Sequence, residues 1–212
     1  MEPPANPGRF SEMVDMAVGS PADRSGTLGY GAMKRIAKVW YRGQRNSLTN
    51  IAKSLSATNS VSRARSEWKE GRVWFEFFCV FWDAIKDHYG DDLWRVGGNR
   101  LMIGAQLWAL QEAILLQADG QMPSAWSVPD EASEDERKEM LVAKLLEVVE
   151  TTINYFPAQM WSVEWAKSSQ DTTAGRKDLL ELFEKFIESG KRGGIWKAWR
   201  SDPWFKGSSA SD

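Results

Sequence analysis

The 212-residue sequence has a single cysteine, Cys79, and a single histidine, His88. One thiol excludes an internal disulfide framework and any cysteine-rich zinc site, and it suits a reducing, cytoplasmic setting. One imidazole means that a serine or cysteine nucleophile system would rest on His88 alone. Nine positions separate it from Cys79, which puts the two about 180° apart around a helix and out of each other's reach. No Walker A, G-x-G-x-x-G or C-x-x-C pattern occurs. No apolar run approaches the about 18 residues of a spanning helix. The acidic, proline-bearing opening "MEPPANPGRF" lacks the basic and apolar regions of an export signal. The expectation is a cytoplasmic chain with no cofactor and no catalytic or metal-ligating residue to assign. Asp83, Asp87, Asp91 and Asp92 are the one local carboxylate cluster that could hold a hard cation. Helix-built sites usually draw such ligands from several helices, often with Glu-x-x-His, and that pattern is absent.

What the chain has instead is tryptophan, twelve of them, within a composition that is 42% hydrophobic. Each indole offers a large apolar surface and one N–H that needs a partner when buried. So many of them predict that some lie at a surface covered by another protein. Trp161, Trp165 and Trp204 are the expected partner-binding residues.

The net charge of −2 hides an asymmetry. Between Met33 and Arg72 ten Lys or Arg stand against Glu67 and Glu70, a balance of +8, so the remainder is near −10. Lys34, Lys38 and Arg42 recur every fourth residue, with Arg35 and Arg45 flanking them and Arg63 and Arg65 in "SRARS". Such a ridge could track phosphates, with Tyr30, Trp40 and Tyr41 interleaved, although Trp40 falls on the apolar face. These seven basic residues are the candidate nucleic-acid contacts. Nothing supports readout of base sequence.

Periodicity predicts an all-α fold. The first helix is "YGAMKRIAKVWYRG", with Met33, Ile36, Ala37 and Trp40 on one face. "SLTNIAKSLS" follows as a shorter helix and "ATNSVSRARS" as a polar connector. A long helix over about 66–89 contains "VWFEFFCVFWDAI", eleven apolar residues around Glu76 and Asp83, and Gly90 is its expected stop. Asn99 can cap a second, largely apolar helix over about 100–117. These two helices are expected at the centre of one multi-helix domain. "SEDE" from Ser133 to Glu136 is a capping box for a further helix that ends near Pro157. "AQMWSVEWA" is a short helix or turn, Thr172 or Thr173 caps the helix over "AGRKDLLELFEKFIESG", and "GIWKAWRSDPWF" is a last short helix. The expected layout is a loose arm over 1–27, in which "FSEMVDMAV" forms one short helix, a helical domain over 28–205, and a disordered tail over 206–212.

Across residues 77–117, Phe78, Trp82, Ala84, Ile85, Lys86, Trp94, Leu101, Gly104 and Leu110 follow an order of features that resembles the helical C-terminal part of bacterial DGQHR-domain proteins. Those proteins are associated with DNA phosphorothioation and phage defence. The ParB-like α/β unit that defines the family has no counterpart here. Asp119-Gly120-Gln121 follows a helix and lacks the His-Arg of the family motif, so no functional residue carries over. Composition and resemblance together lead to the expectation of a non-enzymatic binding or regulatory module of a defence or DNA-modification system, acting through protein contacts. Sequence-nonspecific nucleic-acid binding through residues 33–72 is the alternative.

Overall fold

Ile36 and Trp40 recur about one turn apart with Met33 and Ala37 beside them. This stripe makes α1 (Tyr30–Arg42) amphipathic, with Lys34, Lys38 and Arg42 left in water. The structure of the protein, a computed structural model, describes residues 14–15, 28–94, 101–165, 172–193 and 202–205. Within them α1 is followed by α2 (Asn46–Leu55), α3 (Val61–Glu70), α4 (Val73–Leu93) and α5 (Gly104–Asp119). A 3-10 turn at Pro123–Trp126 leads to α6 (Glu134–Ile153), α7 (Gln159–Ser162) and α8 (Thr173–Lys191). The expected all-α class is what forms. Extended pairing among the described residues is confined to a two-residue parallel pair, β1 (Val14–Asp15) with β2 (Leu28–Gly29), and an isolated antiparallel bridge between Trp165 and Phe205. Val14 and Asp15 fall inside the stretch expected as an N-terminal helix and are extended instead. The rest of that stretch, the cap expected at Asn99, most of "GIWKAWRSDPWF" and the tail over 206–212 lie outside the described residues.

The core is organised around α5, which packs against α1, α2, α6 and α8. Eleven of its sixteen residues are buried, including Gln106, Gln111 and Glu112, so it has no solvent face of any width. A helix surrounded in this way needs close neighbours, and Gly104 provides one approach. A Cβ built at Gly104 would overlap the Cβ of Ala32 on α1. Gly104→Ala is therefore expected to destabilise the fold by about 1–3 kcal/mol through overpacking. Adding Ala32→Gly should recover part of that loss in urea denaturation, whereas an equal loss in both variants would place the cost elsewhere.

The other central helix differs from its expectation in extent. Residues expected at its start belong to α3, which begins inside the stretch read as a connector and is capped by the Ser60 hydroxyl. Gly71 and Arg72 separate α3 from α4, and Arg72 sits in the left-handed region at φ 55°, ψ 17°. A non-glycine residue there costs about 1–2 kcal/mol, because its Cβ crowds the following carbonyl oxygen. Gly90, the expected stop, does break the helical geometry at φ 72°, ψ 172°, yet one more turn follows to Leu93. Phe77, Phe78, Phe81, Trp82, Ile85 and Tyr89 of α4 are buried, while Val73, Trp74, Phe75 and Cys79 are only half-buried. α4 thus lies against α6, α1 and α3 with one flank turned outward.

The later helix starts behave as their sequences require. Ser133 Oγ accepts from the Glu136 backbone N–H, and the Glu136 carboxylate accepts from the Ser133 N–H at 2.8 Å, which completes the capping box of α6. The two bonds from Ser133 hold the Glu136 carboxyl below its ordinary pKa. Thr172 caps α8 by accepting from Gly175 N–H at 3.0 Å.

Candidate functional site

Lys34, Lys38, Tyr41 and Arg42 stand at positions i, i+4, i+7 and i+8 of α1, a spacing that lines one face of a helix. All four are exposed, and Tyr41 keeps 47% of its surface in solvent. Their neighbours come from α3 and α4. The Trp74 ring of α4 meets Tyr41 edge to face, with centroids 5.7 Å apart. The Lys69 ammonium of α3 lies over the Tyr41 ring, 5.5 Å from its centroid, a cation–π contact. Arg72 is exposed at the α3–α4 joint, two residues before Trp74. Lys38 and Arg42 have no ion-pair partner among the described residues, and neither does Arg72. The acids of α3 turn elsewhere. Glu67 pairs with Arg63 at 2.8 Å and accepts from Ser56, and these contacts hold its carboxyl below the usual range; Glu70 accepts from the Ser66 hydroxyl at 2.7 Å. One face of the molecule therefore combines cations from three elements around a half-exposed ring pair.

The seven basic residues expected as nucleic-acid contacts divide into two groups. Lys34, Lys38 and Arg42 lie on this face, with Arg35 half-buried on the same helix. Arg45, Arg63 and Arg65 are engaged within the chain. Arg45 donates to Glu112 and lies 3.7 Å from Asp119, which makes it the inward counterion of α5. Arg63 is engaged by Glu67, which raises its guanidinium pKa further. Arg65 is half-buried and donates to Thr49 Oγ1 at 3.3 Å. Sequence spacing could not see this, because every one of these partners except Glu67 lies on another helix.

Asp119, the first residue of the Asp119-Gly120-Gln121 tripeptide, has a structural role. α2 has no cap of its own at Arg45, and the Asp119 carboxylate accepts from both the N–H and the hydroxyl of Ser47 at 2.7 Å. It caps α2 from the end of α5, where anionic charge meets the positive pole of the α2 dipole.

The indoles expected at a partner surface are interior. Trp161 is 0% exposed, Trp165 2% and Trp204 8%. Trp161 and Trp165 stack at 5.8 Å and close, with Phe183 and Phe205, an aromatic cluster between α7, α8 and the Asp202–Phe205 turn. Trp165 Nε1 donates to the Met160 carbonyl at 2.9 Å, so its polar tip is satisfied inside. Trp40 Nε1 donates to Gln111 Oε1 at 2.8 Å, and Trp68 Nε1 to the Trp40 carbonyl at 2.7 Å. Trp40, Trp68 and Trp165 are thus core residues whose N–H groups are met by carbonyls and by Gln111. The exposed ring is Tyr41, one of the aromatics read as interleaved with the basic ridge, with Lys69 and Trp74 against it. The signal was its place on the ridge, at i+3 from Lys38.

The remaining candidate groups carry little chemistry. Burial, with Asp83 and Glu76 adding to it, raises the Cys79 thiol and keeps it protonated. His88 lies edge-on to Tyr89 at 4.9 Å, and burial lowers its pKa. Asp91 pairs with Lys86 at 3.2 Å, and among the described residues no group of three His, Cys, Asp or Glu converges as metal ligands would. No helix of the described residues is long and apolar enough to cross a membrane. A cleft of about 710 Å³ opens beside α3, with Leu55 and Val73 in its floor and Glu67, Glu70, Glu76, Glu134 and Asp135 around it. Lys138 crosses it to Glu76 at 2.8 Å, and that bond raises the lysine pKa. No family model, curated protein or solved structure matches this chain.

Proposed function

We propose that the chain is a non-catalytic helical binding module that holds nucleic acid, without reading its sequence, through the face built on α1, Lys69, Arg72 and Trp74. The observation that carries this reading is the patch itself: exposed Lys38 and Arg42 on the helix of an exposed tyrosine, half-buried Lys69 over its ring, exposed Arg72 at the α3–α4 joint, and the nearby acids of α3 engaged elsewhere. Phosphates displace counterions from such a surface, so affinity must fall as salt rises. The resemblance of residues 77–117 to the helical part of DGQHR-domain proteins suggests the setting, a cytoplasmic DNA-modification or phage-defence system. Fluorescence anisotropy with a labelled oligonucleotide at two salt concentrations tests the reading. Four phosphate contacts predict a log–log slope of about −3 for a single strand. Lys38→Glu with Arg42→Glu is expected to weaken binding at least about tenfold and to flatten that slope, with the unfolding midpoint little changed. Salt-independent binding, or none, would remove the reading.

The protein-contact reading keeps one specific observation, the cleft beside α3. Its apolar lining with Glu70, Glu134 and Asp135, the carboxylates there that no ion pair among the described residues engages, matches the chemistry of a basic peptide segment of a partner. Glu70→Lys with Glu134→Lys would abolish such a contact and leave oligonucleotide affinity no weaker than before.

A further inference from the structure

Resting on the nucleic-acid reading above, we infer that Tyr41, backed by Trp74, is a stacking platform for unpaired bases, which makes single-stranded nucleic acid the ligand in preference to duplex. Phosphate binding by itself needs cations only. A tyrosine left 47% exposed at the centre of a cationic patch, with Trp74 against it and Lys69 over it, adds an aromatic surface that a duplex cannot use. Paired bases offer a protein their edges and their phosphates, whereas an unpaired base offers its face. Tyr41 is also held for this purpose. Its ring is fixed by the Trp74 edge, and Trp74 in turn packs edge-on against Phe75 and Phe78 at 5.5 and 6.4 Å, which ties the platform to the core. Cations flank it: Lys38 precedes Tyr41 by one turn, Arg42 follows it, and Lys69 of α3 lies over the ring, three residues before exposed Arg72.

Arg72 stands at the joint itself, exposed and with its backbone in the left-handed region, where an arginine is strained and a glycine is relaxed.

The test uses the full chain, a labelled oligothymidine of about 20 nucleotides and a duplex of the same length. The single strand is expected to bind at least about tenfold more tightly. Tyr41→Leu should weaken single-strand binding about tenfold without changing the salt slope or the unfolding midpoint, and Tyr41→Phe should restore it. Arg72→Gly is expected to keep or raise the unfolding midpoint while lowering affinity and flattening the salt slope, a combination that a purely structural arginine would not give. Equal affinity for duplex, or a Tyr41→Leu variant that binds as well as the parent, overturns the platform. If the Lys38→Glu, Arg42→Glu variant still loses binding in that case, the nucleic-acid reading stands without it. Absence of salt-sensitive binding to either probe removes both.

Discussion

Trp161→Ala is expected to lower the free energy of unfolding by about 3–5 kcal/mol, the range for removing a fully buried large aromatic side chain. The indole is 0% exposed, stacks on Trp165, meets Phe183 edge-on at 5.8 Å and meets Tyr89 edge-on at 6.0 Å. Truncation removes the ring that joins α7 and α8 to the end of α4, and small backbone shifts cannot refill that volume. Tyr89 itself is held by donating to the Phe156 carbonyl at 2.9 Å, and burial pushes its phenol pKa upward. Urea denaturation checks the figure. A loss below about 1 kcal/mol would return Trp161 to the surface role that composition suggested for it.

Arg45→Ala is expected to cost about 2–3 kcal/mol, at or below the low end for breaking a buried ion pair because the arginine side chain is 24% exposed. The loss arises from the partner left behind. Glu112 lies on the buried face of α5 with its side chain 6% exposed, one oxygen accepts from Arg45, and Oε1 has no hydrogen-bond partner among the described residues. Without the guanidinium a carboxylate remains inside with little to balance it. The same substitution weakens the hold on Asp119, which caps α2. Arg45→Met with Glu112→Leu should recover most of the stability, because an apolar pair of similar volume carries no desolvation cost. Lys38→Ala, four positions after Lys34 on the exposed ridge, should change stability by less than about 0.5 kcal/mol. That contrast separates the basic residues that hold the fold from those that face solvent.

The same contrast marks how far the sequence was legible. Helix periods, the Ser133–Glu136 capping box, the Thr172 cap and the apolar character of α4 and α5 depend on neighbours within about one turn, so they read directly from the chain. The α3–α4 break was harder to see. Gly71 alone is a tolerable helix residue, and the break depends on Arg72 adopting a left-handed conformation that no propensity favours. Which of the two long helices is surrounded on all sides was also out of reach, since α5 gains that place from α1, α2, α6 and α8 together.

The sequence by itself determined the all-α class, most helix positions and the concentration of positive charge before residue 73. Each of these is a property of composition or of local spacing. Only the tertiary structure decided which charges and rings remain for function. It drew Arg45 inward to Glu112 and Asp119, folded Trp161, Trp165 and Trp204 into the core, and left Tyr41 outside among Lys38, Arg42, Lys69 and Arg72. The physical reason is that burial is set by what packs across from a side chain. Trp40 and Tyr41 are adjacent in the chain and similar in chemistry, yet one is 0% exposed against α4 and Gln111 and the other is 47% exposed beside Trp74.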